Sequence, residues 1–107
     1  MSDQEPEIGV DLFAGMWRRG TRLVDVRSSE EYASQHVPGA ENVPLEDVLA
    51  SPQEFAGEEL YVICRSGGRS LKAAEAMNAA GARAVSVAGG TAGWIDAGNQ
   101  IERGAQR

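Results

Sequence analysis

The chain has 107 residues, 42% hydrophobic and 24% charged, which excludes a disordered or fibrous protein and lets one domain bury a core without disulfide or metal staples. A net charge of −6 excludes the broad basic footprint that nucleic acid or an anionic membrane surface requires. Cys64 is the only cysteine and His36 the only histidine, which excludes an internal disulfide, a Cys-x-x-Cys redox pair and a structural metal cluster, so no metal and no cofactor is expected.

The chain reads as a single domain over residues 1–107, with residues 1–7 and 102–107 expected to fray. The acidic, polar start has no basic or apolar leader region, and no later segment has the continuous apolar length to span a bilayer, so a cytoplasmic setting is expected. Asp11 is positioned to cap a helix over Leu12 to Arg19, closed by Gly20, and Leu23-Val24-Asp25-Val26 reads as a buried strand. Ser28 or Ser29 caps the next helix, whose first turn holds Glu30 and Glu31, and the stretch from Gln35 to Ala40 breaks it. Asn42-Val43 is a short strand, Leu45 to Ala50 a small helix and Pro52 to Glu59 a surface connection.

Leu60-Tyr61-Val62-Ile63 is the strongest strand signal, and it runs directly into Cys64-Arg65-Ser66-Gly67-Gly68-Arg69-Ser70. The spacing then predicts a helix over Ser70 to Ala80, ended by Gly81, with Ala73, Ala74, Ala76, Met77 and Ala80 inward and Lys72, Glu75 and Ala79 outward. Ala84 to Ala88 is another strand, and Gly89-Gly90 leads into a helix over Thr91 to Ala97. Strands alternating with helices through short connections imply an α/β fold with a mostly parallel sheet of about five strands and helices on both faces. Ligands in such folds bind outside the carboxyl ends of the strands, where Cys64 lies.

The Cys64 loop carries the chemistry. After a parallel strand, Gly67-Gly68 lets successive backbone N–H groups turn inward, and a helix starting near Ser70 adds its positive end, making an anion cradle around the sulfur. No acidic residue occurs between Glu59 and Glu75, so Arg65 and Arg69 add full positive charge and favour the thiolate. The gain in ionised fraction is largely offset by the weaker nucleophilicity of a low-pKa thiolate. The larger benefit lies in holding an anionic substrate and stabilising intermediate charge, where one preorganised donor contributes about 3 kcal/mol. Cysteine is often only a small core residue, but here the thiol meets two glycines, two arginines and a helix start together.

These residues resemble a single-domain rhodanese, a member of the rhodanese-like sulfurtransferase family. Besides the loop, the resemblance rests on Leu23-Val24-Asp25-Val26-Arg27, Glu31-Tyr32, the run from His36 to Pro44 and the run from Gly89 to Trp94, in the family order over nearly the whole chain. The resemblance implies a rhodanese-like fold and a Cys64 persulfide. Cys64 would take sulfane sulfur from an anionic donor such as thiosulfate or a persulfide and pass it to an external acceptor, cyanide or a thiol, or to a partner protein in a sulfur relay. Residues 65 to 69 would hold the persulfide through their N–H groups, Arg65 and Arg69 would attract the donor, and Ser66 and Ser70 would donate further hydrogen bonds. A phosphatase or arsenate-reductase-like activity is the rival on the same fold, but four residues separate Cys64 from Arg69, against five in the phosphatase pattern, and the tighter loop favours sulfur. A non-catalytic interaction module is a second rival, and it requires the loop to be closed over.

Outside the loop, Asp25 near a buried strand end is expected to accept hydrogen bonds and to border the site, and Arg27 to pair with Glu30 or Glu31. His36 is expected to fix a turn, Trp94 to support the core, and Gly89 and Gly90 to form the pocket rim.

Overall fold

A computed structural model describes residues 7–17 and 21–104. Five strands, β1 (Glu7–Gly9), β2 (Arg22–Asp25), β3 (Glu41–Asn42), β4 (Glu59–Ile63) and β5 (Arg83–Ala88), alternate with five α-helices: α1 (Val10–Met16), α2 (Ser29–Ser34), α3 (Leu45–Ala50), α4 (Gly68–Ala79) and α5 (Gly90–Asp96). The sheet order is β1-β5-β4-β2-β3, and every pairing is parallel. β4 sits centrally, in register with β2 (Asp25 opposite Ile63) and with β5 (Val62 opposite Ser86).

Side-chain alternation along the strands builds two cores. Val24, Leu60, Val62 and Ala84 face α3 and α4, packing on Val48, Ala73, Ala74 and Met77. Leu23, Ile63 and Val87 face α1, α2 and α5, packing on Phe13, Tyr32 and Trp94. Each such buried Val, Leu, Ile, Phe or Met contributes about 1.5–3 kcal/mol over its exposed state, which fixes the register and so the point where each strand delivers its last residue.

Several boundaries differ from expectation. Glu7 is not frayed but opens β1, which lies at the sheet edge and pairs only with β5. Helix α1 starts at Val10, with Gly9 as N-cap and Asp11 inside the first turn, and Trp17 is already extended; Arg19 and Gly20, expected to close it, lie outside the described residues. At the other end Glu102 bridges to His36, and the Gly104 amide donates to the Ala33 carbonyl, so the chain is pinned at least to Gly104. No helix among the described residues is long and apolar enough to cross a membrane.

Candidate active site

The carboxyl ends of β2, β4 and β5 meet at one edge of the sheet. β4 ends at Ile63, whose carbonyl accepts from the Val26 amide at 3.0 Å, and the chain then turns through residues 64–67 into α4. Gly67, with φ +125°, is the N-cap of α4, a backbone shape that a side-chain-bearing residue rarely adopts.

That turn points amides at the sulfur. Gly67 N–H donates to Cys64 Sγ at 3.1 Å and Ser70 N–H at 3.3 Å, while Ser70 Oγ lies 3.4 Å away. The peptide units take this orientation because their carbonyls are claimed from the other side. Gly89 N–H donates to Ser66 O (2.9 Å), Thr91 N–H to Cys64 O (2.9 Å) and Ala92 N–H to Arg65 O (3.0 Å). Gly90, at φ +55°, is the residue that lets the two loops approach: a Cβ there would lie 2.5 Å from the carbonyl oxygens of both Cys64 and Arg65. The expected pocket-rim glycines are thus clamps on the sulfur loop.

Ser70 is fully buried and links to a residue that sequence reasoning missed. Its Oγ lies 2.6 Å from Ser86 Oγ on β5 and 3.2 Å from Gly67 O. Ser86 is a serine in the buried stretch Ala84-Val85-Ser86-Val87, where a hydroxyl is costly without a partner, and that was the available signal. Burial of Cys64 opposes its ionisation. The Ser70 hydroxyl and the N–H groups of Ser70, Gly67 and Ser66 outweigh that opposition and hold the thiol below its ordinary value.

Three expectations are corrected. A closed-over loop was required only of the interaction-module rival, but Cys64 is only 1% exposed, because the turn that aims the amides inward also folds over the sulfur. Arg69 was to offer a free charge to the donor. Instead its guanidinium forms a two-pronged ion pair with Glu31, at 2.8 and 3.0 Å, and that acid arrives from α2, 38 positions away in sequence. The Arg69 guanidinium and the Ser28 N–H hold the Glu31 carboxyl down at about 2, against burial. Arg27 was to pair with Glu30 or Glu31, but it grips buried Asp25 at 2.8 Å and donates to Gln35 O at 2.7 Å. Two residues along an extended chain face the same way, so Asp25 lies within reach, while Glu31 folds back to close a capping box with Ser28.

Asp25 accordingly braces the end of β2 and is itself fully buried, with Asn42 donating to the carbonyls of Asp25 and Arg27 at 3.0 Å each. His36 is buried, stacked on Tyr32 at 3.8 Å between centroids, with Nδ1 2.7 Å from Tyr32 O, as a turn-fixing residue would be. Trp94 packs against Phe13 and donates to Gln100 O at 2.7 Å. Arg65, Ser66 and Gly68 form the exposed outer side of the loop. Beside them a cleft of about 440 Å³ opens between the β2–α2 end and α5. Among the described residues no cluster of three or more His, Cys, Asp or Glu is suited to hold a metal ion.

Comparison with known proteins places this fold in a family. The rhodanese-like domain profile matches residues 10–97. The Bacillus subtilis protein YrkF is 34% identical over 93 residues, 83% of this chain, and the chain spans 50% of its length. Thiosulfate sulfurtransferase 18 of Arabidopsis thaliana is 33% identical over 86% of this chain and 81% of its own length. The crystal structure of a rhodanese-like domain protein from Staphylococcus aureus superposes with a TM-score of 0.76, covering 91% of this chain and 96% of that one at 31% identity.

Proposed function

The chain belongs to the rhodanese-like domain family, and from that premise we propose that it is a sulfurtransferase working through a persulfide on Cys64, with an anionic sulfane donor such as thiosulfate and an external thiol or cyanide as acceptor. The observation that carries the reading is the convergence of the Gly67 and Ser70 amides and the Ser70 hydroxyl on one sulfur atom. A structural cysteine has no use for two amide donors and a hydroxyl within reach of its sulfur. A thiolate does, and so does a sulfur that must leave with an electron pair.

In the first half-reaction the Cys64 thiolate attacks the outer sulfur of the donor. With thiosulfate, the donor S–S bond breaks and sulfite departs with its electron pair, leaving Cys64 with one extra sulfur. In the second, an acceptor thiolate attacks that outer sulfur, the Cys64 S–S bond breaks, and the pair returns to Sγ, where the amides receive it. Oxidation state is conserved in each exchange, so no redox cofactor is needed. Cys64 is 1% exposed, so the donor reaches Sγ past the exposed Arg65 and Ser66 side chains while the clamped backbone stays in place, and Arg65, which has no ion-pair partner among the described residues, is the charge available to draw it in. The Arabidopsis relative's name supports thiosulfate as the first donor to try. A cytoplasmic setting, which keeps the single thiol reduced, suits the chemistry, as does service to a protein partner in a sulfur relay.

The test is intact mass after thiosulfate treatment. The wild type gains one sulfur atom, cyanide or dithiothreitol removes it, and Cys64→Ser never gains it. Burial of Cys64 favours a second reading, a non-catalytic interaction module. Under that reading neither protein gains sulfur and thiosulfate turnover is absent from both. The phosphatase reading gains no support, since the amides already close on the sulfur of the four-residue loop.

A further inference from the structure

The cleft beside the sulfur loop holds two opposite charges that nothing on the protein uses. Arg65 and Asp96 both line it, both are exposed, and neither side chain has an ion-pair or hydrogen-bond partner among the described residues. Their neighbours differ: Arg27 is spent on Asp25 and Gln35, and Glu31 on Arg69. A third group is also unsatisfied. Thr91 lines the cleft and is 2% exposed, yet its Oγ1 has no hydrogen-bond partner, although its amide is bonded to the Cys64 carbonyl. A buried hydroxyl without a partner is costly, and a ligand in the cleft removes that cost. Ala92 and Ile95 supply an apolar wall between the polar groups.

We propose that this cleft is the acceptor subsite and that the acceptor is a small thiol bearing an α-amino-acid head group. Its carboxylate meets Arg65, its ammonium meets Asp96, and its polar atoms satisfy Thr91. The inference rests on the persulfide reading above. Cyanide has nothing to offer these groups, a dianionic donor is repelled by Asp96, and a cleft of about 440 Å³ exceeds what either needs. The head group parks in the cleft while the thiolate attacks the outer sulfur on Cys64; the new S–S bond forms on the acceptor, the old one breaks, and Cys64 regains its thiolate.

The experiment separates loading from transfer. Protein loaded with thiosulfate, checked by intact mass and freed of donor, is mixed with L-cysteine, with cysteamine (no carboxylate) or with mercaptopropionate (no ammonium), and loss of the extra sulfur is followed by quenched mass measurement. Ratios between acceptors are compared across variants, which cancels the intrinsic reactivity of each thiol. Asp96→Asn should lower the cysteine-to-mercaptopropionate rate ratio about fivefold, and Arg65→Gln the cysteine-to-cysteamine ratio by a similar factor, the effect of an exposed charge contact of about 1 kcal/mol. Ratios unchanged in both variants overturn the proposal. Failure of the wild type to load strikes the persulfide reading instead. The cleft is then judged by S-methyl-L-cysteine, which cannot react: shifted amide resonances at Thr91 and Asp96 of unloaded protein support it, and their absence overturns it.

Discussion

The sulfur loop and the cleft next to it share an edge of the sheet but are built from different material. Around Cys64 the groups that matter are backbone amides and one buried hydroxyl, held by other backbone groups, and the one nearby arginine of α4 is neutralised by Glu31. In the cleft they are side chains, the exposed Arg65 and Asp96, unpaired among the described residues, and the buried Thr91 hydroxyl. Fixed dipoles cost no reorganisation when charge develops, so the loop is suited to stabilising sulfur anions of any origin. Side chains are replaceable one at a time, so the cleft is where selectivity can be adjusted without disturbing the cradle.

The sharpest way to break this contrast is Gly90→Ala. A Cβ there meets two backbone carbonyls and the φ of +55° is unfavourable for alanine, so the clamp on the sulfur loop must shift. Stability measured by chemical denaturation should fall by more than about 2 kcal/mol, and sulfur loading should fall with it. Loading that survives such a loss would show that the clamp does not orient the amides.

Ser70→Ala tests the hydroxyl alone. Sulfur transfer should drop about ten- to a hundredfold, in line with about 1.5–3 kcal/mol for a hydrogen bond to a charged group. The pH midpoint of Cys64 alkylation should move up, because the leading contribution favouring the thiolate is removed. Ser86→Ala, which leaves Ser70 in place but removes its 2.6 Å partner, should move the midpoint the same way by less.

Glu31→Gln gives the smallest effect and probes charge. Releasing Arg69 should lower the KM for thiosulfate about threefold, with a stability loss of at most about 1 kcal/mol, since the pair is over a third exposed on the Arg69 side. The folded Glu31 carboxyl is depressed from 4.5 to about 2, so its contribution is complete above about 4.5 and is lost as pH falls toward 2. Acid titration of stability in the wild type and in Glu31→Gln should therefore diverge above pH 4.5 and converge near 2.

These expectations show which physics the one-dimensional pattern carries. β4, α4 and the turn joining them were legible because an unbroken apolar run, a double glycine and an alanine-rich period are local signals. β1 was not, because three residues at an edge, Glu7-Ile8-Gly9, carry no period and gain strand character only from pairing with β5. The loop was legible as a cradle, but its electrostatics were not: the acid that neutralises Arg69 lies on α2, and only the fold brings α2 there. The burial of Cys64 was equally hidden, since the amides that activate the sulfur and the cover over it are the same peptide units.

The clamp also makes the two regions mechanically one. Because α5 and the turn before it grip the loop by three consecutive carbonyls, a tilt of that short helix rotates the peptide planes facing the sulfur. Asp96 and Ile95 sit on the far turn of the same helix, so the element that walls the cleft is also the one that anchors the backbone around the sulfur.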